Sequence, residues 1–106
     1  MRVIADGDLA ELLTTGNSRK YRVIARTPAA LNGLKRAVEI LLSVSCVEEL
    51  SCFSFLHYER LKYEMNGLSS IRLSNRFVYR LIFKEEPDRI TLKLIEIDDT
   101  HYGNKK

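Results

Sequence analysis

The sequence predicts an α+β fold in which a short N-terminal strand and helices pack on one face of a small antiparallel sheet. The chain has 106 residues, 45% of them hydrophobic, which suits one domain (1–106) with one modest core. Apolar residues recur at helical spacing in the first half of the chain. From about Leu61 onward they alternate with polar residues, as in half-buried strands. Helices followed by a series of strands indicate the α+β class.

The N-terminal quarter of the chain contains a predicted strand and a predicted helix. Residues 2–5 can form a short edge strand, and Asp6 can cap a helix over 7–14 that carries three leucines. The run Gly-Asn-Ser at 16–18 ends that helix. Residues 20–26 alternate as in a strand, yet their cations would also suit a basic helix, so both interpretations stay open.

The clearest local prediction is a helix that begins at Thr27. Thr27 is a suitable N-cap, and Pro28 occupies the first helical position, where its missing N–H costs nothing. The apolar positions that follow at helical spacing are Leu31, Leu34, Val38, Leu41 and Leu42. Ser45 and Glu48 have the spacing of a capping box, which predicts a short helix over 47–53.

The C-terminal half is predicted to be a meander of strands. The alternating segments are 69–74, 76–84 and 90–98, and a Ser-Asn pair and a Glu-Pro-Asp run supply the turns between them. In the last segment the apolar phase shifts at Ile95 and Ile97, which indicates a β-bulge or a twist toward full burial. Since side chains alternate across a strand, this sheet should have one apolar face and one basic face.

The predicted sheet carries a cluster of cations. Between positions 60 and 84 the cations are Arg60, Lys62, Arg72, Arg76, Arg80 and Lys84, with Glu64 as the intervening acid. Alternation assigns Arg72, Arg76, Arg80 and Lys84 to one face, and such clustering is expected of a surface that binds phosphates. The net charge of the whole chain is only +3, so a solvated sheet face is an equally good interpretation of charge alone.

Several classes of protein are disfavoured by composition. No apolar segment resembles a signal peptide or could span a membrane, so a cytoplasmic protein is expected. Cys46 and Cys52 lack the spacing of a zinc site, and we expect both to be buried and reduced. The histidines, His57 and His101, are far apart in sequence. We therefore expect neither a metal nor a cofactor.

Motifs in the C-terminal half resemble those of the HigB-like killer proteins of the RelE superfamily of toxins. The matching residues are Leu56-His57, Leu61-Lys62 with Gly67, Ser70-Ile71-Arg72, Tyr79-Arg80-Leu81-Ile82-Phe83 and Asp99-Thr100-His101. The resemblance follows nearly the whole chain in order and length. It implies a RelE-like fold and a ribosome-dependent endoribonuclease that cleaves mRNA. It also implies a cognate helix-turn-helix antitoxin as a partner.

The resemblance also implies which residues act. Matched by position, the catalytic residues are His57, Lys62, Arg72, Arg80 and His101. Further cations predicted to contact RNA are Arg60, Arg76, Lys84 and Lys93. Cleavage without a metal needs a base, an acid and cations that hold the phosphorane, and histidine and arginine supply these groups.

Some alternatives stay open at this point. For His57 a structural role in a turn is the simpler interpretation, and for His101 a hydrogen-bonded strand end competes with catalysis. Thr100 stands where the family has tyrosine. A second function is therefore a non-catalytic binding protein of the same fold that acts on a protein target such as gyrase.

Overall fold

A computed structural model of the chain describes residues 1–62, 67–74 and 78–98. Its helices are α1 (Gly7–Thr15), α2 (Arg22–Ala25) and α3 (Pro28–Ser43), followed by short 3₁₀ helices at Val47–Cys52 and Ser54–Leu56. Its strands are β1 (Arg2–Ile4), β2 (Glu59–Arg60), β3 (Ser69–Arg72), β4 (Arg80–Glu85) and β5 (Thr91–Asp98). They form one sheet in the order β1-β5-β4-β3-β2. The β1 strand is parallel to β5, and the other pairs are antiparallel.

The helices cover one face of this sheet. Alternate residues of the three central strands are buried in the same core as the leucines of α1 and α3. The sheet residues of this core are Ile71, Leu81, Phe83, Leu92, Leu94 and Ile97. Every second side chain of β4 thus enters the core, as the alternation predicted, and β5 follows the same pattern except for the step from Leu94 to Ile97. The predicted α+β architecture with helices on one face of the sheet is confirmed.

The α3 helix spans the core side of the molecule and begins where the sequence predicts. Thr27 is at the N-cap, but its hydroxyl donates to the carbonyl oxygen of Val23 at 2.7 Å and does not cap the helix. Gly33 is buried on α3 and touches the end of β3. A Cβ built on Gly33 would lie 2.5 Å from the carbonyl oxygen of Leu73, so only glycine lets the two elements approach this closely.

Two local expectations in the N-terminal half need correction. The capping box is displaced by one residue, because the Ser45 N–H donates to Oε1 of Glu49 at 3.0 Å, and the segment that follows is a 3₁₀ helix. The expectation that both cysteines are buried is wrong, since Cys46 is half-buried and Cys52 is exposed at the end of that short helix. The ambiguous segment at 20–26 contains the short helix α2.

The sheet contains one strand that the alternation did not predict. The two residues of β2 pair with Ser70 and Ser69 of β3 and form an edge of the sheet. A strand this short carries no measurable period in sequence. The bulge predicted in the last strand is confirmed, because the register with β4 shifts between Ile82 and Phe83 and leaves Ile95 as the extra residue.

The turn between β4 and β5 is held by one carboxylate. Oδ1 of Asp88 accepts hydrogen bonds from the N–H groups of Ile90 (2.9 Å) and Thr91 (3.0 Å), and Oδ2 accepts from the Thr91 hydroxyl at 2.8 Å. The backbone bond from Ile90, followed by the Thr91 hydroxyl, lowers the pKa of Asp88 below its usual value of 3.8.

We expect the Asp88 contribution to stability to depend on pH. A carboxylate whose pKa is lowered in the folded state stabilises the fold above the unfolded pKa, near 3.8, and this contribution is lost as pH falls through the folded value. Asp88→Ala should therefore lower the melting temperature by a few degrees at pH 7 and by much less at pH 2. Thermal melts of both proteins at the two pH values provide the measurement. An equal difference at both pH values would contradict the assignment.

The α-ammonium group at Met1 lies at the C-terminal end of α3. It donates to the carbonyl oxygens of Leu41 (3.3 Å), Leu42 (3.0 Å) and Val44 (2.5 Å). These carbonyls lack partners within the helix, and a positive charge is favourable at this end of the helix dipole. The same contact places β1 beside α3.

No helix in the described part of the chain is long and apolar enough to cross a membrane.

Candidate functional site

The sheet face turned away from the helices carries the predicted site residues. Because directly paired residues project to the same side of a sheet, the register assigns this face. We call it the outer face, and its described residues on β2 to β5 are Glu59, Ser70, Arg72, Arg80, Ile82, Lys84, Lys93, Glu96 and Asp98. They form three rows across the strands, each about 7 Å from the next.

The first row brings two arginines together. Arg72 on β3 is directly opposite Arg80 on β4, and Arg80 is opposite Asp98 on β5. Directly opposed side chains of neighbouring strands have Cβ atoms about 4.5–5.5 Å apart, and like charges in this position repel. Among the described residues, Asp98 is the one carboxylate in this row. The pair is therefore suited to an anion that lies between the two strands.

Arg80 is anchored from the second row. Its Nη1 donates to Oγ of Ser70 at 3.0 Å and lies 3.5 Å from Oε1 of Glu59. Ser70 is fully buried, and the Arg80 side chain is only 16% exposed. Glu59 is 47% exposed, so this ion pair contributes at most about 1 kcal/mol to stability. Its main effect is to fix the direction of the guanidinium group.

Arg72 has hydrogen-bonding capacity that is not used. Its Nε is buried and makes no hydrogen bond with any of the described residues. A buried donor without a partner costs about 1–3 kcal/mol, so proteins seldom leave one without a reason. An arginine contacts a phosphate side-on through Nε–H and one Nη–H. The unused donor thus lies on the arginine that faces Arg80.

The third row contains a second pair of cations. Lys84 on β4 is directly opposite Lys93 on β5. Lys84 is exposed and Lys93 is half-buried. Between this pair and the arginines, Ile82 lies opposite Glu96 and is fully buried although it is outside the helix-side core. The outer face therefore has two cationic rows, and the row between them has an acid at each end, Glu59 and Glu96.

The outer face is less basic than the linear sequence indicated. The acids Glu59, Glu96 and Asp98 come from strands that flank the predicted cation cluster. Counting charges between positions 60 and 84 could not include them. On β2 to β5 the described outer face thus has four cations and three acids, and Arg2 of β1 adds a fifth cation; its chemistry depends on the arrangement of like charges rather than on their sum.

The remaining predicted residues are only partly brought together. His57 is exposed and precedes β2 on the side of the sheet where Arg72 and Arg80 pair, with a left-handed backbone at φ 50°. Lys62 is exposed beyond the opposite end of β2, on the order of 16 Å along the strand from Arg72. Arg60 pairs with Ser69, whose other partner is Phe83, so Arg60 is on the helix side of the sheet edge.

Two predicted residues, His101 and Arg76, lie outside the described residues. Their sequence positions relative to the site can still be stated. Asp98, the last residue of β5, pairs with Arg80, and His101 follows it by three residues. Within the described residues, no three His, Cys, Asp or Glu side chains lie close enough to hold a metal ion.

Sequence reasoning missed the partners of Arg80. The alternation places Ser70 on the same face as Arg72, so a close reading of the strand pattern could have found it. Glu59 belongs to β2, which has no sequence period, and it precedes the predicted sheet. Its role therefore became visible only with the register between β2 and β3.

Comparisons with known proteins support the fold. No family model matches the sequence, and a search of curated proteins finds no relative. Among solved structures, the chain is similar to a chain from the crystal structure of the toxin–antitoxin complex RelBE2 of Mycobacterium tuberculosis. The TM-score is 0.50 at 19% sequence identity, over 93% of this chain and 96% of that chain. The α+β architecture is thus a RelE-like fold.

Proposed function

We propose that this chain is the toxin of a toxin–antitoxin pair and that it is a HigB-like, metal-independent and ribosome-dependent mRNA endoribonuclease of the cytoplasm. The observation that carries the proposal is the pair formed by Arg72 and Arg80 across β3 and β4, in which Nε of Arg72 has no hydrogen-bond partner among the described residues. Two opposed guanidinium groups are a fitting receptor for a phosphodiester. The RelE-like fold and the C-terminal motifs support the same proposal.

The proposed reaction uses Arg80 and Arg72 differently. Arg80 is held by Ser70 and Glu59 and supplies a fixed charge next to the scissile phosphate. Arg72 faces Arg80 across the two strands, and its guanidinium group donates to an oxygen that gains charge as the 2′-oxygen attacks the phosphorus atom. The bond from the 2′-oxygen forms while the bond to the 5′-oxygen breaks, which yields a cyclic phosphate and a 5′-hydroxyl.

Histidine is proposed to move the protons. His101 is three residues beyond Asp98, at most about 11 Å of extended chain from a residue that pairs with Arg80. His57 precedes β2 at the same end of the sheet. Imidazole can remove the 2′-hydroxyl proton or protonate the leaving 5′-oxygen near neutral pH. Which of the two histidines acts is decided by separate His→Gln variants.

The proposed partner is a helix-turn-helix antitoxin. A toxin that cleaves mRNA would arrest its own cell, so an active copy requires an inhibitor. RelBE2, whose fold this chain shares, is a toxin–antitoxin complex by its description. The cationic rows Arg72–Arg80 and Lys84–Lys93 offer an acidic segment of the antitoxin two places to bind. We expect growth arrest when the chain is induced alone and recovery when the neighbouring gene is co-expressed.

One observation favours the second function, a non-catalytic binding protein that acts on a protein target such as gyrase. Arg80 already has partners in Ser70 and Glu59, as a purely structural arginine would. In that case Arg80 stabilises the sheet and the outer face contacts protein. The Nε–H of Arg72, which has no partner among the described residues, is not explained by this alternative, and we therefore favour the nuclease.

The test is the appearance of mRNA ends after induction. Primer extension on a reporter transcript within minutes of induction should reveal new cleavage ends, and purified protein should cut ribosome-bound mRNA in excess chelator. His101→Gln should reduce the cleavage rate by about two to four orders of magnitude, the usual weight of general acid–base catalysis. Growth arrest without new ends would contradict the nuclease and favour the protein-target alternative. Loss of cleavage on chelation would contradict the metal-independent mechanism.

A further inference from the structure

A groove of about 570 Å³ opens beside the end of β3, between α3 and the second 3₁₀ helix. Its floor is formed by buried residues, including Gly33, Leu56 and Leu73. At this floor Gly33 and the Leu73 carbonyl are in close contact. The volume is within the range of about 300–1,000 Å³ that is usual for small-molecule sites.

The rim of the groove differs chemically from its floor. It presents the exposed side chains of Asn32, Arg36 and Phe55, and Phe55 is 46% exposed. None of the described lining residues is acidic. An aromatic face for stacking, an amide for the polar edge of a base and a cation for phosphate are the groups that single-stranded RNA needs.

The groove also lies at the end of β3 where the proposed active site is found. It is lined by Leu73 and Ser74, which directly follow Arg72 in the chain. Ser74 is two residues from Arg72, at most about 7 Å of extended chain. On its other side the groove is lined by Leu56, which directly precedes His57. An RNA strand held at the arginine pair can therefore place a neighbouring nucleotide at the groove.

We propose that this groove binds an unpaired base of the RNA substrate, next to the phosphate held by Arg72 and Arg80. The base stacks on Phe55, its polar edge pairs with the Asn32 amide, and Arg36 contacts the adjoining phosphate. This inference rests on the proposed nuclease function and adds a site that selects the substrate by one of its bases. The polar rim and the position of the groove at the Arg72 end of β3 favour RNA over a protein segment as the occupant.

The test measures binding of a short single-stranded RNA whose 2′-hydroxyls are methylated, so that it cannot be cleaved. Phe55→Leu and Asn32→Ala should each weaken binding, with roughly 5- to 100-fold loss for Phe55→Leu, the usual weight of one stacked base. Their salt dependence should equal that of the wild type. Arg36→Gln should lower the slope of log K against log salt by about 0.7. Lys35→Gln, an exposed cation of α3 outside the groove, is the matched control and should bind normally.

A second RNA with one abasic position separates base recognition from general affinity. It should bind the wild type and Phe55→Leu equally well. Equal binding of the intact RNA by the groove variants and the wild type, or no binding by the wild type, would overturn the inference. So would variants that bind RNA normally but lose the antitoxin, because the groove would then be a protein-docking surface. In each of these cases new mRNA ends after induction would still support the nuclease itself.

Discussion

Replacing Arg72 by glutamine should abolish toxicity and leave the melting temperature unchanged or slightly raised. The side chain is half-buried on the outer face, away from the helix-side core, so its replacement leaves no large cavity. Its Nε is buried and has no partner in the part of the chain that the structure describes, and removing it relieves an unsatisfied donor. The loss of one preorganised donor at a developing oxyanion reduces turnover by about 100- to 1,000-fold. Growth after induction, cleavage rates on programmed ribosomes and thermal melts measure the three quantities.

Arg80→Gln provides an instructive contrast. It should also abolish toxicity, but it should lower stability as well, because it breaks the contacts with Ser70 and Glu59. Lys35→Gln, an exposed cation of α3, is the control for the loss of one positive charge and should keep full toxicity. Full toxicity in both arginine variants would rule out the outer face as the active surface.

Replacing Gly33 by alanine should destabilise the protein, although alanine is the better helix former. In an open helix the change would stabilise by up to about 1 kcal/mol. Here the new Cβ would meet the carbonyl oxygen of Leu73 at 2.5 Å and its carbon at 3.3 Å. Backbone atoms cannot rotate away as a side chain can, so α3 must shift from the sheet. We expect a net loss of about 1–3 kcal/mol in the free energy of unfolding, the usual cost of overpacking.

Chemical denaturation of Gly33→Ala and Asn32→Ala on the same helix would check this result. Asn32 is exposed one position earlier in α3, so its replacement by alanine should raise stability by several tenths of a kcal/mol. The two changes thus have opposite expected signs on one helix. A stabilising Gly33→Ala would show that the contact between α3 and the end of β3 is looser than described.

The sequence predicted the helices and strands that contain several periodic apolar residues. It missed the short elements that depend on contacts with the rest of the fold. The α3 helix and the strands β3 to β5 have several apolar repeats each, and these determine which face is buried. The two-residue β2 strand and the four-residue α2 helix are too short for a period. The hydroxyl of Thr27 bonds to Val23, and the carboxylate of Glu49 bonds to Ser45. Residue spacing alone does not determine either hydrogen-bond partner, because both depend on the local backbone geometry.

The sequence predicts which cations belong to the candidate site, but it does not predict which residues face one another there. Alternation assigned Arg72, Arg80 and Lys84 to one face, and the register agrees. Whether Arg72 meets Arg80 or a neutral residue depends on the register, and a slip of one residue would reverse every face. The bulge in β5 puts Lys93 opposite Lys84. The acids came from neighbouring strands, which no window along the chain can join to the cluster.

The contact between the Met1 ammonium group and the end of α3 has a practical consequence for producing the protein. A polypeptide fused in front of Met1 would replace a charged group with three protons by a single amide N–H, while the carbonyls of Leu41, Leu42 and Val44 still need donors. A permanent N-terminal affinity tag should therefore lower the melting temperature and loosen β1 beside α3. A tag removed by a protease that restores the free amine at Met1 should return the melting temperature to its original value.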